Sequence, residues 1–212
     1  MKAVLAKGKS GPRRRNDPEG LRARILDQAE ELFQERGYHS TSMHDLMHAT
    51  AVSAGALHHH FPSKKSLGLA VLADRVRPAV REAWLDPVRQ APALGKGIDA
   101  VFGSIVAGIR ARGSVQGCPL NNLALELSLT DADFRRGMES IFAEWRAALA
   151  QRIGETRGGA RLDAKQRAAA ANFVISVYSG AMNLAKTTQS ASPLADAAEQ
   201  LSGWLDQHRF TE

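Results

Sequence analysis

Residues 42–64, SMHDLMHATAVSAGALHHHFPSK, decide the fold of this chain. Ser42 and Asp45 have the spacing of a capping box, in which an N-cap hydroxyl pairs with a carboxylate three residues later. The pattern predicts a short helix that ends near residue 50, and a second short helix that begins after Ser53 as its N-cap. Two short helices joined by a tight turn form a helix-turn-helix, whose second helix enters the major groove of DNA.

A longer helix is predicted before this unit. Asp17 and Pro18 suit its N-cap and first helical position, and Gly37 suits the residue after its end. The apolar residues between them recur at helical spacing: Leu21, Ile25, Leu26, Ala29, Leu32 and Phe33. The three helices together make a domain of about 50 residues, which is near the lower limit for independent folding.

The composition is that of an ordinary soluble protein, with 44% apolar and 24% charged residues in 212. Few aromatic residues and many alanines favour helix over sheet. The single cysteine excludes an intramolecular disulfide and suits a reducing cytoplasm. We expect no membrane partner, because no apolar run approaches the length of a span and no apolar signal region follows the basic N-terminus.

The net charge of +6 is concentrated at the N-terminus. Residues 1–17 hold six basic side chains against one acidic, residues 18–67 hold five against six, and the remainder holds seventeen against fifteen. A basic arm beside a DNA-binding helix commonly reaches phosphates or the minor groove. An arm that only keeps the protein in solution would have the same composition, and the sequence favours neither role.

From Ile25 the chain reads ILDQAEELFQERGYHSTSMHDLMHATAVSAGALHHHFPSKKSLGLAVL. It contains AxxLFxxxGYxxTS, then D[IL], then VSxGxLxxHFxSKxxL, and this string resembles the N-terminal domain of the TetR (tetracycline-repressor-like) family of bacterial regulators. The resemblance implies an all-α protein of about nine helices. Its parts would be a basic arm (1–16), a three-helix helix-turn-helix domain (17–64) and a helical ligand-binding and dimerisation bundle (65–212).

The resemblance also implies which residues contact DNA. The start of the second helix approaches the DNA backbone, the N-terminal end of the third helix reads base edges, and nearby histidines with Lys64 contact phosphates or a thymine methyl group. The predicted set is Thr41, Ser42, Met43, His44, Ser53, Ala54, Gly55, Ala56, His58, His59, His60 and Lys64.

The tip of the reading helix consists of small residues. Ala54, Gly55 and Ala56 allow close approach to the groove floor but offer few hydrogen bonds, so base readout depends on methyl contacts, His59 and DNA shape. Such modest readout makes a dimer on a palindromic operator nearly obligatory. In the preceding turn, Ala51 stands where the family usually has glycine, so a positive φ there would cost about 1 kcal/mol.

The histidines raise the question of a metal site. His44 and His48 lie one turn apart, and residues 58–60 are all histidine. Consecutive helical residues diverge by about 100°, so three in a row cannot converge on one ion, and tetrahedral zinc needs four ligands. We therefore interpret the histidines as polar residues facing DNA, and expect no metal and no cofactor.

The remainder of the chain is predicted as a helical bundle. Apolar periodicity places helices at 64–86, 94–112, 131–154, 163–186 and 193–208. A break between Pro87 and Pro92 and a flexible connection at residues 155–160 separate some of them. No phosphate-binding glycine loop, carboxylate pair or Ser/His/Asp arrangement is present, so a helical enzyme or metal-binding protein is the disfavoured alternative.

A further helix begins at Pro119, which puts Cys118 at its N-terminus. Residues 117–126 resemble the GCxxxNLAxE segment of TetR-family branches that include the LmrA/YxaF-like one. Helix-terminal amides would lower the pKa of the thiol, so Cys118 could be modified by electrophiles or oxidants. A small buried residue lining a pocket is the other interpretation, and it is favoured because buried cysteine is common.

Two larger residue sets complete the predicted machinery of a ligand-responsive repressor, which a small-molecule effector releases from its operator. The candidate effector pocket comprises Trp84, Phe102, Ile109, Cys118, Asn121, Asn122, Trp145 and Tyr178. The candidate homodimer interface comprises Phe173, Val177, Ala181, Leu194, Ala198, Leu201, Trp204 and Leu205. The alternative for the last two helices is that both close the bundle of their own subunit. As a DNA-binding regulator, the protein is expected in the bacterial cytoplasm, associated with the nucleoid.

Overall fold

The computed structural model describes residues 18–211, and within this range the chain forms helices and no strand. Nine α-helices are present in the described part, as the sequence predicts. They are α1 (Pro18–Arg36), α2 (Met43–Thr50), α3 (Ala54–His60), α4 (64–90), α5 (Leu94–Arg112), α6 (Pro119–Leu127), α7 (Ala132–Gly154), α8 (Ala164–Thr188) and α9 (Ser192–Gln207). The predicted arm at residues 1–16 and the predicted N-cap Asp17 lie outside the described residues.

The capping signals around α2 and α3 act as predicted. Ser42 Oγ accepts a bond from Asp45 N at 3.1 Å, and Asp45 Oδ2 accepts one from Ser42 N at 2.7 Å. Ser53 Oγ accepts a bond from Ala56 N and so begins α3. Between the two helices Ala51 has a φ of 52°, the left-handed conformation that glycine adopts without strain.

The connecting helix α4 continues past the predicted break at Pro87 and ends at Gln90. It consists of α-helical segments Lys64–Val71, Arg77–Val80 and Asp86–Gln90, separated by π-helical turns at Leu72–Val76 and Arg81–Leu85. Each π turn precedes a segment with proline at its second position, and the wider turn leaves room for a ring that an α-helix would exclude. Near the first proline, the Asp74 carbonyl accepts a bond from Arg75 Nη1 at 2.8 Å.

The three-helix head packs directly against the helices that follow. Arg22 donates to Asp74 at 2.8 Å, which joins α1 to α4. Lys65 pairs with Asp131 at 2.8 Å and with Asp133 at 2.6 Å at the start of α7. A Cβ at Gly68 would lie 2.7 Å from ring atoms of Tyr38 and Phe134, so the close approach of α4 requires glycine there.

Residues 155–160, predicted as a flexible connection, are instead held by specific bonds. Thr156 is buried, donates to the Ile153 carbonyl at 2.6 Å and accepts from Gly159 N at 3.1 Å. Gly158 N donates to the Arg209 carbonyl at 3.0 Å, which ties the segment to the end of the described chain. A 3₁₀ turn, Gly159–Arg161, follows.

One described helix, α8, is long and apolar enough to span a membrane by length and composition, although the sequence was expected to contain no such segment. Of its most apolar window, 39% is buried inside the fold. Core helices of soluble proteins pass the same test, so this property is weak evidence for a membrane span.

Candidate DNA interface and effector site

The tip of α3 is open to solvent, as a reading helix requires. Leu57 anchors the helix in the core, whereas Ser53, Ala54 and Gly55 are exposed. A Cβ at Gly55 would meet no atom within 4 Å. Among the remaining predicted contacts on α3, His58 and His59 are exposed, and Ala56 and His60 are half-buried.

The residues at the start of α2 do not all reach the surface. Thr41 is fully buried and donates to the Gly37 carbonyl at 2.9 Å, so its hydroxyl is engaged within the fold. Ser42 is exposed but is engaged in the cap of α2, and Met43 is half-buried against the core. His44 is exposed, and its Nε2 lies 3.2 Å from His48 Nε2. The described residues contain no group of three or more potential metal ligands.

Lys64 lies against the turn that links α1 to α2. Its Nζ donates to the His39 carbonyl at 3.2 Å and lies 4.4 Å from the centre of the Tyr38 ring. Burial lowers the pKa of the Lys64 ammonium, and the nearby charges of Glu126 and Asp45 act in the opposite direction. Lys64, the predicted phosphate contact, is therefore held in place by Tyr38 and His39. We call these two residues the head turn.

Glu126, on α6, binds the same head turn from the body of the protein. Its Oε2 accepts a bond from Tyr38 N at 2.8 Å and its Oε1 accepts one from His39 N at 2.6 Å. Gly37 precedes the turn with a φ of 88°, and a Cβ there would lie 3.2 Å from Glu126 Oε1. Glu126 lies within a motif recognised in the sequence, but no role was predicted for it. Its partners, Tyr38 and His39, lie 88 and 87 residues earlier in the chain, so no local pattern could identify them.

Four of the predicted effector residues form one buried aromatic cluster. Trp84 lies between the other three, with ring centres 4.8 Å from Trp145, 4.9 Å from Tyr178 and 5.7 Å from Phe102. The indole nitrogen of Trp145 and Asn121 Nδ2 are buried without a hydrogen-bond partner, whereas the indole of Trp84 interacts with the Tyr178 hydroxyl. Buried donors are normally paired, so these two donors are exceptions in the described core.

The other predicted pocket residues are dispersed. Ile109 is buried on α5, two turns after Phe102. Asn122 lies at the junction with the head, where its Nδ2 donates to Gln34 Oε1 at 2.6 Å and its Oδ1 accepts from Lys186 at 3.0 Å. Asn122 therefore lies apart from the aromatic cluster, with its amide engaged between α1 and α8.

Cys118 caps the start of α6 as predicted, but its environment does not activate it. The thiol is buried beside the Tyr178 hydroxyl. Burial raises the pKa of Cys118 and outweighs the amides of Asn121 and Leu120 that favour the thiolate. Burial also raises the pKa of Tyr178. The expectation of a lowered thiol pKa was therefore wrong, because desolvation dominates at a buried helix terminus.

An open cleft of about 530 Å³ lies between α5 and α9. Phe102 lines the cleft and also contacts the cluster through Trp84. Asp99, Arg110 and Glu199 supply charge at the rim. Trp84, Trp145, Tyr178 and Asn121 do not line this cleft.

The predicted dimer residues divide into two groups. Leu194, Leu201, Leu205 and Ala181 are buried within the subunit, so their side chains close its own bundle and present no surface. Phe173 is 43% exposed, and Val177, Ala198 and Trp204 are half-buried. On the same face of α8, Leu184 is 60% exposed and a Cβ at Gly180 would meet no atom within 4 Å.

Comparison with known proteins gives consistent matches over most of the chain. The family described as bacterial regulatory proteins, tetR family, matches residues 25–71, and the LmrA/YxaF-like transcriptional regulator C-terminal domain matches residues 95–200. An HTH-type transcriptional regulator in the lacX 3′ region of Lactococcus lactis subsp. lactis is 29% identical, covering 81% of this chain and 86% of the relative.

Two further relatives agree in length and fold. The HTH-type transcriptional repressor DhaR of Mycobacterium sp. is 26% identical, over 82% of this chain and 86% of its own. The crystal structure of a TetR transcriptional regulator from Chloroflexus aurantiacus superposes with a TM-score of 0.79 at 28% identity, covering 92% of this chain and 98% of the other.

Proposed function

The chain belongs to the TetR family of bacterial regulatory proteins, with a C-terminal domain of the LmrA/YxaF-like type, and we propose that it is a ligand-responsive transcriptional repressor. It binds a palindromic operator as a homodimer, and a small-molecule inducer releases it. The observation that carries the proposal is the solvent-open tip of α3, at Ala54 and Gly55, on a head whose backbone is bound to the effector-side helix by Glu126. Repression rather than activation is supported by the relative DhaR, which is named a repressor.

The DNA-contacting surface comprises the exposed side chains of α2 and α3. Ser53, Ala54, Gly55 and His59 face the major groove, while His44, His58 and Lys64 contact phosphates or a thymine methyl group. The arm at residues 1–16 supplies additional charge, since residues 18–67 hold nearly equal numbers of basic and acidic side chains. The proposed domains are the helix-turn-helix domain at residues 17–64 and the ligand-binding and dimerisation domain at residues 65–212. Helix α4 begins at the boundary and connects the two.

Homodimerisation uses the exposed face of α8 with the neighbouring part of α9. Phe173, Val177, Gly180 and Leu184 follow one another at helical spacing along that face. A second copy related by a twofold axis would cover them, and Gly180 would allow the two helices to approach closely. The dimer sets the separation of the two reading helices at about 34 Å, one turn of DNA.

The inducer occupies the region of Trp84, Trp145 and Tyr178. An apolar molecule with hydrogen-bond acceptors would satisfy the indole nitrogen of Trp145 and Asn121 Nδ2, which the protein alone leaves unpaired. Such a ligand shifts the population of the dimer towards a head spacing that no longer fits two successive major grooves. Non-covalent binding is favoured over modification of Cys118, because the thiol is buried.

A regulator of this kind acts in the cytoplasm and is not an enzyme. The experiment is a mobility-shift titration with the intergenic DNA beside its gene, at several salt concentrations. We expect two protomers per palindrome and a steep salt dependence, with a logarithmic slope of about −0.9 per phosphate contact. Equal affinity for the palindrome and for a scrambled fragment would contradict the proposal.

A further inference from the structure

We propose that Glu126 is a positioning residue for the DNA contact of Lys64: the carboxylate holds the head turn, and the head turn holds the lysine. The inference rests on the proposed DNA-binding function and adds to it the residue through which the body controls a phosphate contact. It follows from three bonds that meet at Tyr38 and His39.

The first step is the cradle around the carboxylate. Two consecutive amides, Tyr38 N and His39 N, donate to the two oxygens of one carboxylate at 2.8 and 2.6 Å. Bonds from amides to an ionised acceptor are among the stronger hydrogen bonds in proteins. Gly37 allows this approach, since any side chain there would meet Glu126 Oε1. The head turn therefore has a fixed position relative to α6.

The second step leads from the head turn to DNA. The carbonyl of the same residue, His39, accepts the bond from Lys64 Nζ, and the Tyr38 ring lies under the ammonium. If the carboxylate leaves, both amides lose their acceptor and the turn is free to move, together with the two groups that hold Lys64. The lysine then has no fixed direction towards a phosphate.

The third step connects this arrangement with the effector cluster. α6 begins at Cys118, beside Tyr178, and carries the unpaired Asn121 amide in its first turn. Glu126 lies eight residues after Cys118, about 12 Å along a rigid helix. Because α6 is rigid, a displacement of its buried end also moves Glu126 and, through it, the head turn. No hinge lies between the two ends.

The test combines Glu126→Gln with Lys64→Met in the full-length protein, singly and together. The matched control is Glu35→Gln. Glu35 is exposed on α1 and lines the same cleft as Glu126, and its substitution removes the same charge. Lys64→Met should reduce the salt slope of operator binding by about 1.8, because each of the two protomers loses one phosphate contact worth about 0.9. Glu126→Gln should weaken operator binding by about five- to tenfold and reduce the slope equally, since Lys64 no longer reaches its phosphate.

Adding Lys64→Met to Glu126→Gln should then change affinity by less than twofold. Glu126→Asp, which keeps the charge but withdraws the carboxylate, should behave like Glu126→Gln. Glu35→Gln should leave the affinity unchanged or raise it, because removing a negative charge near DNA favours binding. In the free protein, hydrogen exchange at the Tyr38 and His39 amides should accelerate in the Glu126 variants only.

Two outcomes overturn the proposal. If the native protein binds its operator but Glu126→Gln matches Glu35→Gln in affinity and salt slope, Glu126 does not position Lys64. If the fold-losses in operator affinity of the two single variants multiply in the double variant, Glu126 and Lys64 act independently. Failure of the native protein to bind any operator would instead overturn the proposed function, and amide exchange would still report whether the carboxylate holds the head turn.

Discussion

The rings of Trp84 and Trp145 lie 4.8 Å apart in the core, and the indole nitrogen of Trp145 is buried without a hydrogen-bond partner. A buried donor without a partner costs about 1–3 kcal/mol. An interior optimised for stability alone would place phenylalanine at such positions. The unpaired indole donor of Trp145 is therefore a local cost to the stability of the core.

Trp145→Phe tests this interpretation. Phenylalanine has one ring where the indole has two, so the substitution leaves a cavity that lowers stability. Removal of the unpaired N–H raises stability and offsets part of this loss. We therefore expect the free energy of unfolding in urea to change by less than about 1.5 kcal/mol. Phe102→Leu, which shrinks a ring in the same cluster without removing a donor, should cost more. A loss of about 3 kcal/mol for Trp145→Phe would mean that the donor is satisfied, for instance by a buried water.

Ala51→Gly should stabilise the head. Ala51 has a φ of 52°, where a Cβ costs about 1 kcal/mol that glycine avoids. Ala49→Gly is the matched control, since Ala49 is exposed within α2, where glycine should cost about 1 kcal/mol instead. Thermal unfolding of the two variants should shift in opposite directions, and parallel shifts would exclude strain at residue 51.

Cys118 should react slowly with thiol reagents at neutral pH. Burial raises the pKa of the thiol above its usual value of 9.0, so the thiolate fraction at pH 7 is smaller than that of a free cysteine, and access is restricted as well. Labelling by an aromatic disulfide should be slower than that of free cysteine and should become fast in urea. Rapid labelling of the folded protein with loss of operator binding would restore the thiol-sensor hypothesis.

The ion pairs of Lys65 make stability depend on pH at the acid end. Hydrogen bonds and charge from Lys65 lower the pKa values of Asp131 and Asp133 from 3.8, so their contribution is present above pH 3.8 and is lost as the pH falls through the lowered values. The raised pKa of Lys65 places the corresponding loss above pH 10.5. Lys65→Met should therefore flatten the acid limb of a plot of melting temperature against pH. A limb unchanged by the substitution would assign acid unfolding to other carboxylates.

The sequence predicts those features whose causes are local. The cap of α2 depends on Ser42 and Asp45, three residues apart, and the start of α6 depends on Pro119; both were recognisable without coordinates. The continuation of α4 through Pro87 was not, because a π turn is not marked by any residue pattern. Periodicity likewise identifies the apolar face of α9 but cannot tell whether its own subunit or a second copy covers that face.

The functional residues follow the same rule. A resemblance places Thr41 near DNA, but its hydroxyl is used at the Gly37 carbonyl. Glu126 was missed for the opposite reason, because its role exists only once α6 lies against the head turn. Long-range contacts of this kind depend on how whole helices pack, so they become visible only in the folded chain.

The last prediction concerns the dimer. Leu184→Glu on the exposed face of α8 should dissociate a homodimer, because a twofold interface would bury two copies of the new charge. Leu129→Glu is the matched control, since Leu129 is 97% exposed and lies beyond α6 rather than on α8. Analytical ultracentrifugation should give monomers for the first variant and dimers for the second, and operator affinity should fall only with the first. If both variants stay dimeric, the interface lies elsewhere, and the exposed leucine of α8 is an ordinary surface residue.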